Sequence, residues 1–595
     1  MKFPYGISDF RKIMSQGCFY CDRTDSIPLL EQGEYLLFLR PRRFGKTLLL
    51  SMLANYYDTA REDEFRELFG DLKIGENPTS LHNQYLILKW DFSCIDPFGT
   101  ARDIRQALHD HINSRIRRFT AYYKDRLNME TDIDPYNALN SIESMVTAAR
   151  MSSYPVYLFI DEYDNFANEV MMGARREKKK LYEALVYEEG PLKTVFKAVK
   201  SSTSESLFDR IFITGVSPVV MSDITSGYNI AENIYTDAEF NDLCGLHEAE
   251  IEAALKKITG ECGLDDQDAD SAASMMRTYY NGYRFSPDAE TLVYNPSLAI
   301  YFMKAFQKTC KYPRKMLDAN LAADEAKLRY VSKIPRGSQM LMDMMKEDHQ
   351  VVISELADRF GIQEMLKDQS KDNIFMASFL YYFGVLTTEG ETSRGNMKLK
   401  VPNLVMRGLY VGRILRMLLP KPAERDDGVL AAKQLYAEGK IEPLCEFIEQ
   451  KYFQVFRNRD YRWANELTVK TAFLTLLYND ILYIMDSEKE VRRGDTDLTM
   501  IVRPDMRRFD IFDVLIEFRY VSLKKAGMTG EKARGLSRKE LGKIPDVSAE
   551  MNSAEEQVRK YGDALKQKYD KIRLRQYAVV SLGFERLWWK EIGEI

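Results

Sequence analysis

A chain of 595 residues with 45% hydrophobic and 29% charged residues is too long for one hydrophobic core, and its composition is that of folded globular domains. A formal net charge of -5 and a pI near 5.9 exclude binding to nucleic acid through overall positive charge. Residues 1–10 lack the basic start and apolar core of a signal peptide, and the best candidate span, 472–485, is short and contains Asp480, so a cytoplasmic protein without a membrane partner is expected.

The first strand-like run, residues 35–39, leads into Arg40-Pro41-Arg42-Arg43-Phe44-Gly45-Lys46-Thr47 and then a helix-like run over 48–57. That is the setting of a phosphate-binding loop, whose pattern asks for Gly, four free residues and Gly-Lys-Ser/Thr. The last three are present, and Arg40 stands where the first glycine belongs. Gly45 would let the backbone approach a triphosphate, and the following helix would point its N–H groups at it. Lys46 would neutralise the β and γ oxygens, and Thr47 would offer a hydroxyl to Mg2+. Arg40, Arg42 and Arg43 add charge for the nucleotide or a neighbouring subunit, although a basic, solvated turn before a helix would read the same.

Residues 85–90 read as another strand of this sheet. Residues 154–160 form an apolar run of strand length ending in Asp161-Glu162-Tyr163-Asp164, which puts carboxylates at the strand edge where open parallel sheets bind ligands. Asp161 is expected to hold Mg2+ and Glu162 to polarise the attacking water; a strand followed by an acidic turn is the plain alternative. A third strand, 210–217, places Thr214 or Ser217 where either could sense the γ-phosphate or merely cap a turn. Residues 249–258 and 269–280 have helical apolar spacing, closed by Asn281-Gly282, and would form a lid. Arg284 reads as a packing arginine before a nucleotide contact. Seven cysteines are scattered, with Cys18 and Cys21 the one Cys-x-x-Cys pair, and reduced structural thiols are expected.

The Arg-Pro-Arg-Arg-Phe-Gly-Lys-Thr loop, Phe19-Tyr20-Cys21-Asp22-Arg23-Thr24, Tyr280-Asn281-Gly282-Tyr283-Arg284-Phe285 and Val293-Tyr294-Asn295-Pro296 together resemble the bacterial AAA-ATPase-like family. That family's loop reads Arg-Pro-Arg-Arg-Phe-Gly-Lys, so the resemblance accounts for the missing glycine. It implies an α/β fold with a P-loop NTPase core, parallel sheet and helical lid, and ATP with Mg2+ bound by Arg42, Arg43, Phe44, Gly45, Lys46, Thr47, Asp161 and Thr214. It also implies a PD-(D/E)XK nuclease-like domain at the C-terminus in many members.

Residues 340–359 and 373–386 read as helices, and 385–388 with 398–401 as a hairpin around Gly390 and Gly395. A helix followed by such a hairpin suits a winged-helix-like module, as would any small α/β connector. Glu466 opens a helical run over 467–478, the chain turns through Arg493-Gly494-Asp495-Thr496-Asp497 into 498–502, and 511–521 reads as a buried strand. Strand alternation puts Glu517 and Arg519 on one face. Glu466, Asp497 and Glu517 could then converge on one divalent metal, with Mg2+ or Mn2+ suited to oxygen ligands.

This second constellation is similar to a PD-(D/E)XK nuclease over about residues 452–595: Gly494-x-x-Asp497, Glu517-x-Arg519, then Gln557-x-x-x-Tyr561 on a helix. Arg519 stands where the superfamily has lysine, and its planar fork differs from an ammonium in reach and cannot readily give up a proton. The plain alternative is a strand pair with exposed acids. All five histidines precede residue 350, which excludes histidine-dependent nuclease chemistry in the C-terminal segment. Between residues 519 and 575, fifteen Lys or Arg face eight Asp or Glu, a local basic excess that attracts phosphate backbones or solvates a helical face.

The resulting expectation is four segments: a P-loop core over 1–235, a helical lid over 236–330, a helical middle region over 331–450, and a restriction-endonuclease-like α/β domain over 451–595. ATP hydrolysis by Glu162 would be coupled to DNA cleavage by Glu466, Asp497, Glu517 and Arg519, in defence or mobile-element biology as the resemblance implies. The alternative is an ATP-gated binding module, for nucleic acid or protein, whose nuclease fold is inactive. A protein partner or a homo-oligomer stays open.

Overall fold

The apolar runs that end at the phosphate loop and the acidic tip become strands of one parallel sheet in a computed structural model. It describes residues 1–95, 100–165, 191–204, 208–218, 231–317, 322–334, 336–344, 350–357, 372–456, 466–485, 498–569 and 571–593. The strands are β1 Tyr35–Leu39, β2 Leu86–Asp91, β3 Val156–Asp161, β4 Arg210–Gly215 and the short β5 Glu232–Asn233. Their spatial order is β2-β3-β4-β1-β5, every pairing parallel. All six residues of β3 are buried, which is why its sequence is a continuous apolar run without alternation. Because β4 lies between β1 and β3, the loop after β1, the acids after β3 and Thr214 on β4 all reach the same sheet edge.

The helix α1, Lys46–Tyr57, follows β1, and α2, Ala101–Tyr122, follows β2 with a capping box between Thr100 and Asp103. Three further helices pack together: α3 Glu248–Cys262, α4 Asp266–Tyr280 and α5 Pro296–Thr309. Asn281 ends α4 in extended backbone, and Gly282 follows at φ 111° with the Pro402 carbonyl where a Cβ would stand. Cys262 and Cys310, at the ends of α3 and α5, are joined in a disulfide, correcting the expectation that the cysteines are all reduced thiols. No spacing rule pairs cysteines 48 residues apart; the packing of two helices brings them together.

Residues 340–359 do not form one helix. A helix over Gly337–Asp343 gives way to β6, Gln350–Ile353, because the β-branched run Val351-Val352-Ile353 suits a strand. The helix α6, Asn373–Tyr382, ends before Gly384 at φ 73°, and the expected hairpin follows as β7 Thr387–Glu391 and β8 Met397–Lys400, in sheet order β6-β8-β7.

Contacts divide the chain into two compact units: 1–310 with 322–337 and 351–402, and 311–321 with 338–350 and 403–595. The second holds a mixed sheet of β9 Tyr483–Ile484, β10 Leu498–Val502, β11 Asp513–Val521, β12 Leu574–Leu582 and β13 Arg586–Glu591, ordered β13-β12-β11-β10-β9. Only the β11–β12 pairing in it is parallel among the described residues. On one face, α8 (Pro545–Lys568) buries Val547, Met551, Ala554 and Val558 against Leu515 and Val521. On the other, α7 (Glu466–Leu477) sets Phe473 against Phe518, ring centroids 4.8 Å apart. Among the described residues no helix is long and apolar enough to cross a membrane.

Candidate functional site

The loop after β1 is built around an arginine that never reaches solvent. Arg40 is 1% exposed, lies between the Phe38 and Phe285 rings, and donates to the carbonyls of Leu39 and Tyr235 at 2.8 Å each and of Phe240 at 2.6 Å. Burial lowers its pKa to about 10. Arg40 is therefore a scaffold residue, which corrects its assignment to the nucleotide or a neighbouring subunit. Its own carbonyl accepts from Lys46 Nζ at 2.9 Å, and that of Pro41 accepts at 3.2 Å, so the loop is closed on its lysine.

Arg43 at φ 67° and Gly45 at φ 95° turn the backbone into α1, whose first N–H groups have no acceptor within the helix. Phe44 is buried edge-on against Tyr283 and Phe285, so what it can offer a ligand is its backbone. Arg42 reaches Asn165 Oδ1 at 3.1 Å, and Arg43 is exposed.

Three sequence-expected residues meet at one carboxylate. Asp161 Oδ2 accepts from the Thr47 hydroxyl at 2.7 Å, and Oδ1 accepts from the Thr214 hydroxyl at 2.6 Å and from the Glu162 N–H at 3.0 Å. Ser217, the other candidate sensor, instead donates from Oγ and N–H to Asp164 at 3.0 and 2.8 Å. Asp164 is fully buried and also accepts from the Val216 N–H, tying the turn after β3 to the end of β4. Glu162 is held at φ 52°, a left-handed conformation unusual outside glycine and common at functional sites. Burial pushes its carboxyl above the usual range, against the pull of Lys46. Hard oxygen donors from Thr47 and Asp161, facing each other at hydrogen-bond distance, fit a divalent ion such as Mg2+.

A wall that sequence reasoning left without a role borders the loop. A cavity of about 90 Å3 lies beside Gly45 and Leu48, lined also by Phe19, Tyr20, Leu246 and Pro296. Arg23 holds that wall by pairing with both Glu250 oxygens at 2.6 and 2.8 Å and with the Gly245 carbonyl at 3.1 Å. Asp22 caps Thr24 and accepts from the Lys73 N–H. These motif residues were visible in the sequence; their shared place was not. Arg284 bonds the Ala289 carbonyl and so packs, as expected.

In the second unit, Arg519 Nη1 pairs with Glu517 Oε1 at 2.9 Å, and its Nη2 donates to Gln557 on α8. Glu517 is 1% exposed, and Tyr561 belongs to the core between α8 and the sheet. Glu466 opens α7, which packs through Phe473 on the face of β11 opposite Glu517. Asp497 and the Arg493-Gly494 turn lie outside the described residues. Among the described residues no group of three or more His, Cys, Asp or Glu is arranged to hold a metal.

Sheet order, phosphate loop and acidic tip define a P-loop ATPase-like fold in the first unit. Residues 4–225 match the family model described as "Predicted AAA-ATPase", and residues 464–591 match the PD-(D/E)XK nuclease superfamily. The chain carries an AAA-ATPase-like domain and, towards its C-terminus, a PD-(D/E)XK nuclease-superfamily domain. It is also similar to an uncharacterized protein in the vnfD 5′ region of Azotobacter chroococcum mcd 1, 26% identical over 315 residues, covering 51% of this chain. The chain spans about half, 52%, of that relative's length. A solved structure, Cdc6p from Pyrobaculum aerophilum, aligns at 11% identity and a TM-score of 0.22 over 63% of this chain and 87% of its own.

Proposed function

We propose that the first unit binds and hydrolyses ATP with Mg2+, and that nucleotide state governs a nuclease-like domain directed at DNA. The observation that carries the ATPase half is Asp161 receiving hydroxyls from both Thr47 and Thr214, one from the phosphate loop and one from the strand between. Lys46 and the α1 N–H groups bind the phosphates, Thr47 and Asp161 hold the ion, and Glu162 takes the water proton. The ion supplies charge neutralisation at the β and γ oxygens. The small cavity beside Gly45 takes the base, with Phe19 and Tyr20 as its apolar wall. Arg42 and Arg43 are left for phosphate contact or for a second copy of the chain.

For the nuclease-like domain, Glu466, Asp497, Glu517 and Arg519 remain the proposed site, with Mg2+ or Mn2+ as its metal. A second reading, a catalytically inactive binding module, is favoured by the pairing of Arg519 with Glu517, since the guanidinium occupies the carboxylate a metal would need. The β6-β8-β7 hairpin sheet beside α6 supports a winged-helix-like middle segment within 331–450, and the four-segment division stands as the proposed domain plan. A cytoplasmic setting and a role in defence or mobile-element biology complete the reading.

The test measures ATPase and plasmid cleavage on one preparation, with Mg2+ or Mn2+, with and without ATP. ATP turnover that survives Lys46→Ala would refute the phosphate-loop assignment. Cleavage that survives Asp497→Ala and Glu517→Ala would refute the nuclease site, and cleavage gained only in Arg519→Lys establishes the binding-module reading.

A further inference from the structure

A second cleft borders the far end of α1. It holds about 360 Å3, within the range of small-ligand pockets, between the helix Phe10–Ser15, α1, β2 and α2. Five cations line it, Arg11, Arg61, Lys89, Arg115 and Arg118, with two carboxylates, Asp9 and Asp58.

Those carboxylates keep their charge while accepting from neutral donors, and Asp58 Oδ2 also lies 3.8 Å from Arg61 Nε. Asp58 Oδ1 accepts from the Ala60 N–H at 2.9 Å and the Tyr123 hydroxyl at 2.8 Å, and Oδ2 accepts from the Tyr122 hydroxyl at 3.0 Å. Asp9 caps the N-terminal helix through the Lys12 N–H at 3.0 Å. Glu64, outside the lining, bonds Arg11 and Arg61 at 2.7 Å each and fixes both. Five cations thus face three carboxylates, Asp9, Asp58 and Glu64, an excess of two positive charges. Among the described residues Lys89 and Arg118 make no side-chain hydrogen bond or ion pair, and Arg115 reaches only Cys94 Sγ at 3.9 Å. Like charges facing one cleft repel, and an anion between them relieves that repulsion.

We propose that this cleft is a second anion site, separate from the phosphate loop, that takes a phosphorylated small molecule of nucleotide size. Lys89, Arg115 and Arg118 would grip the phosphate, the two guanidinium forks matching its oxygens. Phe119 and the half-exposed Tyr122 ring provide an apolar wall for the rest of the ligand. The assignment rests on this positive excess in a cleft of ligand size with an apolar wall. The phosphate of a nucleic-acid strand has the same chemistry, so the test separates the two sources.

The experiment titrates inorganic pyrophosphate by calorimetry into the full-length Lys46→Ala protein, in which the phosphate loop no longer competes. Saturable binding to one site is expected, weakened at least tenfold by adding Lys89→Met with Arg118→Ala. Absence of binding in Lys46→Ala, or unchanged affinity in the triple variant, overturns the proposal. If the triple variant unfolds, Arg115→Gln on the Lys46→Ala background serves instead, with at least a threefold loss expected and unchanged affinity overturning the proposal. A 5′-phosphorylated oligothymidylate should fail to displace pyrophosphate; displacement at a lower concentration than pyrophosphate itself requires overturns the small-molecule assignment.

Discussion

Replacing Arg40 by methionine tests whether the residue standing at the first loop glycine is scaffold or ligand contact. Methionine keeps much of the stem's volume but leaves the carbonyls of Leu39, Tyr235 and Phe240 without the donors they now have. Hydrogen bonds from a charged donor contribute about 2 kcal/mol each, so the three short ones together represent about 6 kcal/mol. Against that, removing the guanidinium relieves its burial cost. The fall in pKa from 12.5 to about 10 corresponds to about 3 kcal/mol. The net expected loss is about 3 kcal/mol, or about two orders of magnitude in the opening equilibrium of β1 and β4. Hydrogen exchange read by mass spectrometry on peptides covering residues 35–40 and 210–215 measures it. Protection within twofold of the natural protein, together with lost ATP affinity, would refute the scaffold reading and return Arg40 to the nucleotide.

Three further outcomes follow from the same geometry. Glu162→Gln should retain ATP binding while turnover falls about 100-fold or more, the usual contribution of a positioned base, checked by comparing nucleotide affinity with steady-state phosphate release. Burial holds the Glu162 proton above the usual carboxylate range. The folded state therefore binds that proton more tightly than the unfolded one. The contribution of this group to stability is present at low pH and is lost as pH rises from 4.5 through the raised value, over the same window in which turnover should rise. That acid limb should flatten in Glu162→Gln. Asp164→Ala leaves the Val216 and Ser217 N–H groups buried without their acceptor, at a cost of about 2 to 4 kcal/mol, readable as a lower thermal midpoint of the first unit.

The strands of the first sheet were legible because parallel strands covered on both faces are written as unbroken apolar runs ending in polar tips, as 35–39 and 154–160 are. Thr47 and Asp161 were legible for a related reason, since phosphate-binding chemistry fixes residue types at short spacing. Arg40 was not legible: a basic residue among Arg42 and Arg43 reads as solvated, and the carbonyls that bury it come from residues some 200 positions away. The choice of Thr214 over Ser217 depended on which side chain faces β3, a matter of register that both positions satisfied equally on paper. The strand over Gln350–Ile353 was lost inside a helix-like stretch because four residues give too short a period to separate from a helical one. In the C-terminal domain the strand alternation that placed Glu517 beside Arg519 was sound, yet no pattern said that the two would bind each other.

The helix α1 is 12 residues long, about 18 Å of rigid rod. Its first turn carries Lys46 and Thr47, and Ser51, Asn55 and its C-cap Asp58 border the cationic cleft. If both proposed anion sites fill, this rod joins them like a balance beam, so a tilt or clamping at one end would be felt at the other. Linkage would then require one coupling constant: the factor by which a cleft ligand changed ATP affinity would equal the factor by which ATP changed affinity in the cleft.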